Sequence, residues 1–224
     1  MAEKKKKRAY DNAYPSVTQV LDVLRKPGLE YWFKVNTPQY IEEKSARGKE
    51  IGTQIHQAIQ DHIELREVKI ETDYAVEVTN ALKSFMLFKV EHPEILLHKS
   101  EMMLTHGVYK YNGTLDVRAD MIDVPVIGDW KTGEAKLNDK PKVYDEHKTQ
   151  LAAYIKAYND VSKENIIRGF IVVMAKDKIA YDYYVMEAAE IDEQFNEVFL
   201  PALKISNYQR RATLKKGELK YGTL

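Results

Sequence analysis

At His92-Pro93 the periodicity of the chain changes, and that change constrains what it can fold into. Before the break, apolar residues recur at helical spacing; after it, they alternate. Val17, Val20, Leu21 and Leu24 form a stripe behind Pro15-Ser16, and Pro27-Gly28 closes that helix. Leu29 to Val35 predicts a second short helix. Pro38 to about Arg66 predicts a long one, with Ile51, Ile55, Ile59 and Ile63 as an inward ridge. Gly48 and Gly52 weaken this helix and open its backbone to close approach. A fourth helix is predicted over Asp73 to Val90, with Val76, Leu82, Phe85, Met86 and Val90 inward.

Beyond the break, alternation predicts strands near 95–106, 108–111, 113–122 and 125–131, with Asn112-Gly113 as a turn signal. The third strand sets Leu115, Val117, Ala119 and Met121 on one face and Asp116, Arg118 and Asp120 on the other. A polar loop over 132–145 and a helix over Asp145 to Tyr158 come next. Strands over Ile166 to Ala175 and Ile179 to Met186 then lead to a helix over Ala188 to Leu214. This order predicts an α/β fold, a mixed central β-sheet flanked by helices, with an N-terminal helical elaboration over 14–92. Residues 93–187 form its core, 188–224 a basic C-terminal helix and tail, and 14–224 a single domain.

The 224 residues, 44% hydrophobic, suffice for one sizeable core. No apolar run approaches the roughly 20 residues of a membrane span. Lys4 to Arg8 has no apolar stretch behind it, so it is not read as a secretory signal. There is no cysteine, which excludes a thiolate zinc site and a cysteine-ligated iron–sulfur cluster. The formal net charge of zero conceals +4 over residues 1–8, +5 over 204–224 and −9 between them. Basic ends suit contacts with a polyanion; solvated, weakly ordered tails are the competing reading, and residues 1–13 are read as such an arm.

The chemistry concentrates in Gly113-Thr114-Leu115-Asp116 and Gly128-Asp129-Trp130-Lys131-Thr132-Gly133. On a strand Asp129 and Lys131 share a face and Trp130 takes the other, while Asp116 meets them from the neighbouring strand. Two carboxylates can hold a hard divalent cation, Mg²⁺ or Mn²⁺, that polarises a phosphate and activates water. The lysine can stabilise charge on the phosphate or help activate the water. Gly113 and Gly128 are read as leaving room beside the carboxylates. Ordinary charge on a half-exposed strand would explain a lone Asp-x-Lys, but not its coupling to Gly-Thr-Leu-Asp thirteen residues upstream.

Four segments extend this pattern in order: Gly52-Thr53-Gln54-Ile55-His56 on a helix, the stretch ending at Asp116, Asp129 to Gly133, and Gln150-Leu151-Ala152-Ala153-Tyr154 on a later helix. Together they resemble the RecB-like branch of the PD-(D/E)xK nuclease superfamily, which includes phage exonucleases and the mitochondrial genome maintenance exonuclease. The resemblance runs over about residues 14–186. It implies a restriction-endonuclease-like core and a metal-dependent deoxyribonuclease, an exonuclease acting at DNA ends in recombination, repair or phage DNA metabolism. It implies His56, Asp116, Asp129 and the Trp130 carbonyl as metal ligands and Lys131 as the catalytic cation. Gln150 and Tyr154 would order the site or contact the backbone. Glu101 matches an acidic position of many relatives; strand-surface charge is its alternative.

The resemblance further implies single- or double-stranded DNA ends as partner, and a recombination or single-strand-binding protein as a second. It implies a cytoplasmic location in a bacterial or phage-infected cell, with no membrane. Ser16 and Thr18 offer hydroxyls and a helix start to phosphates, with capping as the competing role. Arg47 and Lys49 offer charge, with solvated helix surface as theirs. Tyr31, Trp32 and Phe33 could stack on unpaired bases or pack as core. The rival functions are a non-catalytic DNA- or partner-binding module on a nuclease-like fold, and a structure-specific endonuclease.

Overall fold

The computed structural model describes residues 13–70, 72–135 and 141–221, with side chains through 212. The basic arm lies outside the described residues except for Ala13, as does the 136–140 part of the polar loop.

Ser16 caps α1 (Val17–Leu21): its Oγ accepts the Gln19 N–H at 3.2 Å, and Gln19 Oε1 accepts the Ser16 N–H at 3.0 Å. Helix α2 (Pro27–Val35) begins at Pro27 itself. A proline at the first helical position sacrifices only a donor that would stay unpaired, so Pro27-Gly28 starts a helix here. Helix α3 (Pro38–Ile63) buries Ile51, Ile55 and Ile59, with Ile63 partly buried beside them. Helix α4 (Ala75–Glu91) turns Val78, Ala81, Phe85 and Phe88 inward. Val76, Met86 and Val90, expected inside, are exposed.

Five strands follow: β1 (Ile95–His106), β2 (Tyr111–Met121), β3 (Val124–Gly133), β4 (Gly169–Ala175) and β5 (Tyr181–Met186). They lie side by side in that order, with β3 and β4 parallel and every other pair antiparallel. The parallel pair needs a crossover, and α5 (Asp145–Ser162) supplies it. This is the expected mixed sheet flanked by helices, consistent with a restriction-endonuclease-like core.

Two local expectations are corrected. Residues 107–110 form a turn, not a strand, and Asn112-Gly113 lies inside β2. The His106 ring holds that turn, its Nδ1 accepting the Val108 and Tyr109 N–H groups at 3.3 Å each. The final helix is likewise interrupted: α6 (Ala188–Glu193) passes through a π-helical turn, Gln194–Phe199, into α7 (Leu200–Tyr221). Pro201 cannot donate to the preceding turn and its ring crowds that turn's carbonyl, so the wider turn accommodates it. No helix among the described residues is long and apolar enough to cross a membrane.

Two apolar layers sandwich the sheet. Helices α3 and α4 pack with Val117, Val126, Trp130, Phe170 and Val172; α1, α5 and α6–α7 pack with Leu115, Ile127, Ile171 and Val173, so Leu115 and Val117, expected on one face of β2, fall in opposite layers. Trp130 is the largest buried side chain and meets Phe85 at 5.3 Å and Phe170 at 5.7 Å, edge to face. That anchor commits Asp129 and Lys131 to the α5 side. Trp130→Ala should therefore lower unfolding free energy by about 3–5 kcal/mol. Urea titration would show it, and a loss below ~1 kcal/mol would contradict this role for the indole.

Candidate metal centre at a fork in the sheet

The β2–β3 ladder ends at the Val117–Gly128 pair. Beyond it, β2 stays with β1 and β3 stays with β4, so the sheet opens into a fork. Asp116 and Asp129 are the first residues on its two arms. The Trp130 N–H, left without a ladder partner on β2, donates to Asp116 Oδ2 at 2.7 Å. Within a strand the N–H and C=O of one residue point to the same side. The Trp130 carbonyl therefore faces the fork too.

Glu101 joins from β1. Its neighbours pair as Ser100–Val117 and Met102–Leu115, so the register sets Glu101 opposite Asp116. Its backbone is left-handed, φ 53°, a strained conformation for a residue other than glycine. From α3, one turn past Gly52, His56 Nδ1 lies 3.5 Å from Asp116 Oδ1 and 3.9 Å from Glu101 Oε1. One ligand atom from each of His56, Glu101 and Asp116 falls within 4.8 Å of the others. Asp129 lies outside that threesome but beside it. Its side chain is wholly buried, and its carboxylate forms an ion pair with Lys131 without a well-directed hydrogen bond.

The electrostatics follow from this crowding. Burial raises the Asp129 pKa, and the Asp116 charge adds to that; Lys131 offsets part of it. Burial also works against charge on Asp116, yet His56 and Lys131 bring its pKa below the usual value. Burial opposes the Lys131 ammonium, but Asp129 and Asp116 hold its pKa above that of free lysine. For His56, burial disfavours its charge, and Asp116 and Glu101 overcome that, raising it to about 10. Without a metal, a proton on His56 balances the carboxylates.

The donor set fits a divalent cation on its own terms. Oxygen donors with one imidazole suit Mg²⁺ or Mn²⁺, and a buried carboxylate poor in hydrogen bonds is a group that a cation would satisfy. The approach is open: a groove of about 440 Å³, lined by Gly52, Thr53, His56, Gln57, Gln60 and Glu101, runs past the cluster.

On the α5 side, Gln150 Nε2 donates to Tyr154 Oη at 2.7 Å, joining the two residues that the sequence pairs. A Cβ on Gly113 would lie 2.8 Å from the Tyr154 ring, and one on Gly128 would run into Phe170. These glycines admit aromatic rings instead of leaving space beside the carboxylates. Two further neighbours, Glu146 and His147, come from the first turn of α5 and carry no sequence motif. The Glu146 charge acts on Lys131, and Glu146 also pairs with Lys26 at 2.7 Å. Burial and the Lys131 charge push His147 down to about 4, keeping it neutral. Acidic residues in a helix's first turn are so common that no sequence signal marks Glu146.

The remaining candidates lie elsewhere. The Ser16 hydroxyl is engaged in the α1 cap and with Thr18 Oγ1 at 3.0 Å. Arg47 pairs with Glu77 and lies over the Tyr74 ring. Lys49 is exposed on α3.

Among solved structures, the chain is similar to a "Putative exonuclease" from Eubacterium rectale, with 12% identity over 92% of this chain and 87% of that one, TM-score 0.53. The two share a fold. An alkaline exonuclease from Laribacter hongkongensis matches at 14% identity over 90% of this chain and 94% of that one, TM-score 0.42. A third structure is matched over 58% of its length by 52% of this chain, at 14% identity and TM-score 0.30. No family model matches the chain, and no curated protein matches it in sequence.

Cation binding should release the His56 proton and, below about pH 7, the Asp129 proton as well, so apparent Mn²⁺ affinity should rise with pH between 6 and 9, by at most about tenfold per unit above pH 7 and more steeply below it. Calorimetric titration of Mn²⁺ in buffers of different ionisation enthalpy measures this directly. His56→Gln should flatten the slope; a pH-independent wild-type affinity would contradict the ligand role.

Proposed function

We propose that the fork is the catalytic centre of a metal-dependent deoxyribonuclease that hydrolyses phosphodiester bonds at DNA ends. One observation carries this reading. Asp116, Asp129, His56 and Lys131 converge where the sheet opens, with a buried Asp129 carboxylate that is paired with Lys131 among the described residues and that a divalent cation would satisfy more fully. The exonuclease name of the Eubacterium rectale protein is in keeping with it.

Asp116, Asp129 and His56 would hold the cation, joined by the Trp130 carbonyl and, through its place opposite Asp116, by Glu101. The cation, when bound, supplies Lewis-acid polarisation of the phosphate and a more acidic water. Lys131 stays an ammonium at neutral pH because two carboxylates face it, which suits stabilising phosphate charge better than taking a proton. Gln150 and Tyr154 hold each other and keep the α5 wall of the site in place. The buried floor formed by Trp130 and Phe170 excludes water from below.

Lys131→Ala should lower kcat on end-labelled DNA with Mg²⁺ by about 10²-fold or more, the usual consequence of removing one transition-state donor. Far-ultraviolet circular dichroism should stay native, and chelation should abolish wild-type cleavage. A Lys131→Ala variant cutting at the wild-type rate would overturn the assignment.

A further inference from the structure

Helix α2 has no buried residue, and α3 buries none before Ile51. The pair projects from the body with Tyr31, Phe33 and Tyr40 exposed, an arrangement that serves contact with a partner more readily than stability. Behind this projection lies a second cavity of about 380 Å³, within the size range of small-ligand sites. Among the described residues, Trp32 and Tyr40 line it together with Lys44, Lys176, the acid Glu134 and Arg47, which is paired with Glu77. The Trp32 and Tyr40 rings are 6.4 Å apart, and the Lys44 ammonium stands 5.6 Å from the centre of the Tyr40 ring. Lys176 is fixed at the end of β4: its N–H donates to the Gly133 carbonyl at 2.9 Å, and its carbonyl accepts from Asn80 at 3.1 Å.

This cavity leads to the fork along one line of α3. Gly48 lines the cavity, Gly52 lines the groove beside His56, and His56 is the ligand candidate, each four residues from the last. A Cβ on either glycine would meet nothing within 4 Å, so the helix surface between them is open. Eight residues of helix span about 12 Å, a few steps of a strand stacked at ~3.4 Å per nucleotide.

We propose that the α2–α3 cavity seats an unpaired nucleotide of the strand being cleaved. Its base lies against Trp32 and Tyr40, and its phosphate lies near Lys44 and Lys176. A base presents a π-face to any aromatic side chain, while clustered cations follow the backbone, so the site takes single-stranded DNA without reading its sequence. A paired base, stacked within a duplex, cannot offer that face. The inference rests on the nuclease reading and narrows it to ends with an unpaired segment.

Intrinsic fluorescence provides the test, because Trp32 borders the cavity while Trp130 is buried in the core. In EDTA, a short oligothymidylate should quench the full-length protein, and Trp32→Phe should abolish the quench. An abasic oligomer of equal length should bind about tenfold more weakly or worse, having lost the stacking. Gly48→Leu fills the cavity and favours the helix. It should weaken oligothymidylate binding to a similar degree, yet leave Mn²⁺-dependent hydrolysis of bis-p-nitrophenyl phosphate, too small to span both sites, unchanged. Equal quenching in Trp32→Phe, or equal binding of the abasic oligomer, would overturn the proposal. If the wild type hydrolyses neither the oligonucleotide nor the small diester, the nuclease reading fails instead, and the quench still decides the cavity.

Discussion

The hydrogen bond from the Trp130 N–H to Asp116 Oδ2 spans the point where β2 and β3 part company. A sheet that opens leaves backbone groups without ladder partners, and burying them unpaired is costly. Here a carboxylate takes the place of the missing strand. That substitution brings Asp116 toward Asp129 and turns the Trp130 carbonyl into the same space. It also leaves Asp116 Oδ1 facing His56 and Glu101. The acidic cluster is thus built into the way the sheet divides.

The aromatic floor and the charged roof depend on each other through one residue's alternation. Trp130 packs among Phe85, Phe88 and Phe170 on the α4 side, so its neighbours Asp129 and Lys131 face α5. Gly128 is required below, where Phe170 takes the space of a side chain; Gly113 is required above, where Tyr154 does. Tyr154 also accepts from Gln150 one turn earlier on α5. The carboxylates repel one another in this enclosure. Lys131 and a proton on His56 offset that repulsion, and a divalent cation would do so more completely.

Elements whose pattern is local were legible in the sequence. The isoleucine ridge of α3, the alternation of β3 and the pairing of Gln150 with Tyr154 all follow from one helical or strand period. What depended on distant contacts was not. Asn112-Gly113 has the composition of a hairpin turn, yet Asn112 Oδ1 accepts from Thr105 Oγ1 at 2.7 Å and Gly113 yields to Tyr154, so tertiary contacts place both within a strand. The sequence leaves Glu101 with two alternatives, and its place opposite Asp116 comes only with the register. The fork has no local signal at all, because it is the end of a ladder between two strands that each continue. The Trp32–Lys176 cavity joins residues far apart in the chain and was hidden as a cavity, although in sequence Tyr31, Trp32 and Phe33 are already able to stack on unpaired bases or to pack as core.

The measurement closest to the central claim is an anomalous difference map from crystals soaked in Mn²⁺. A principal peak is expected in the fork, within coordinating distance of the Asp116 and Asp129 carboxylates and the His56 ring. A principal peak bound away from Asp116 and Asp129, or no peak at a Mn²⁺ concentration that saturates activity, would contradict it.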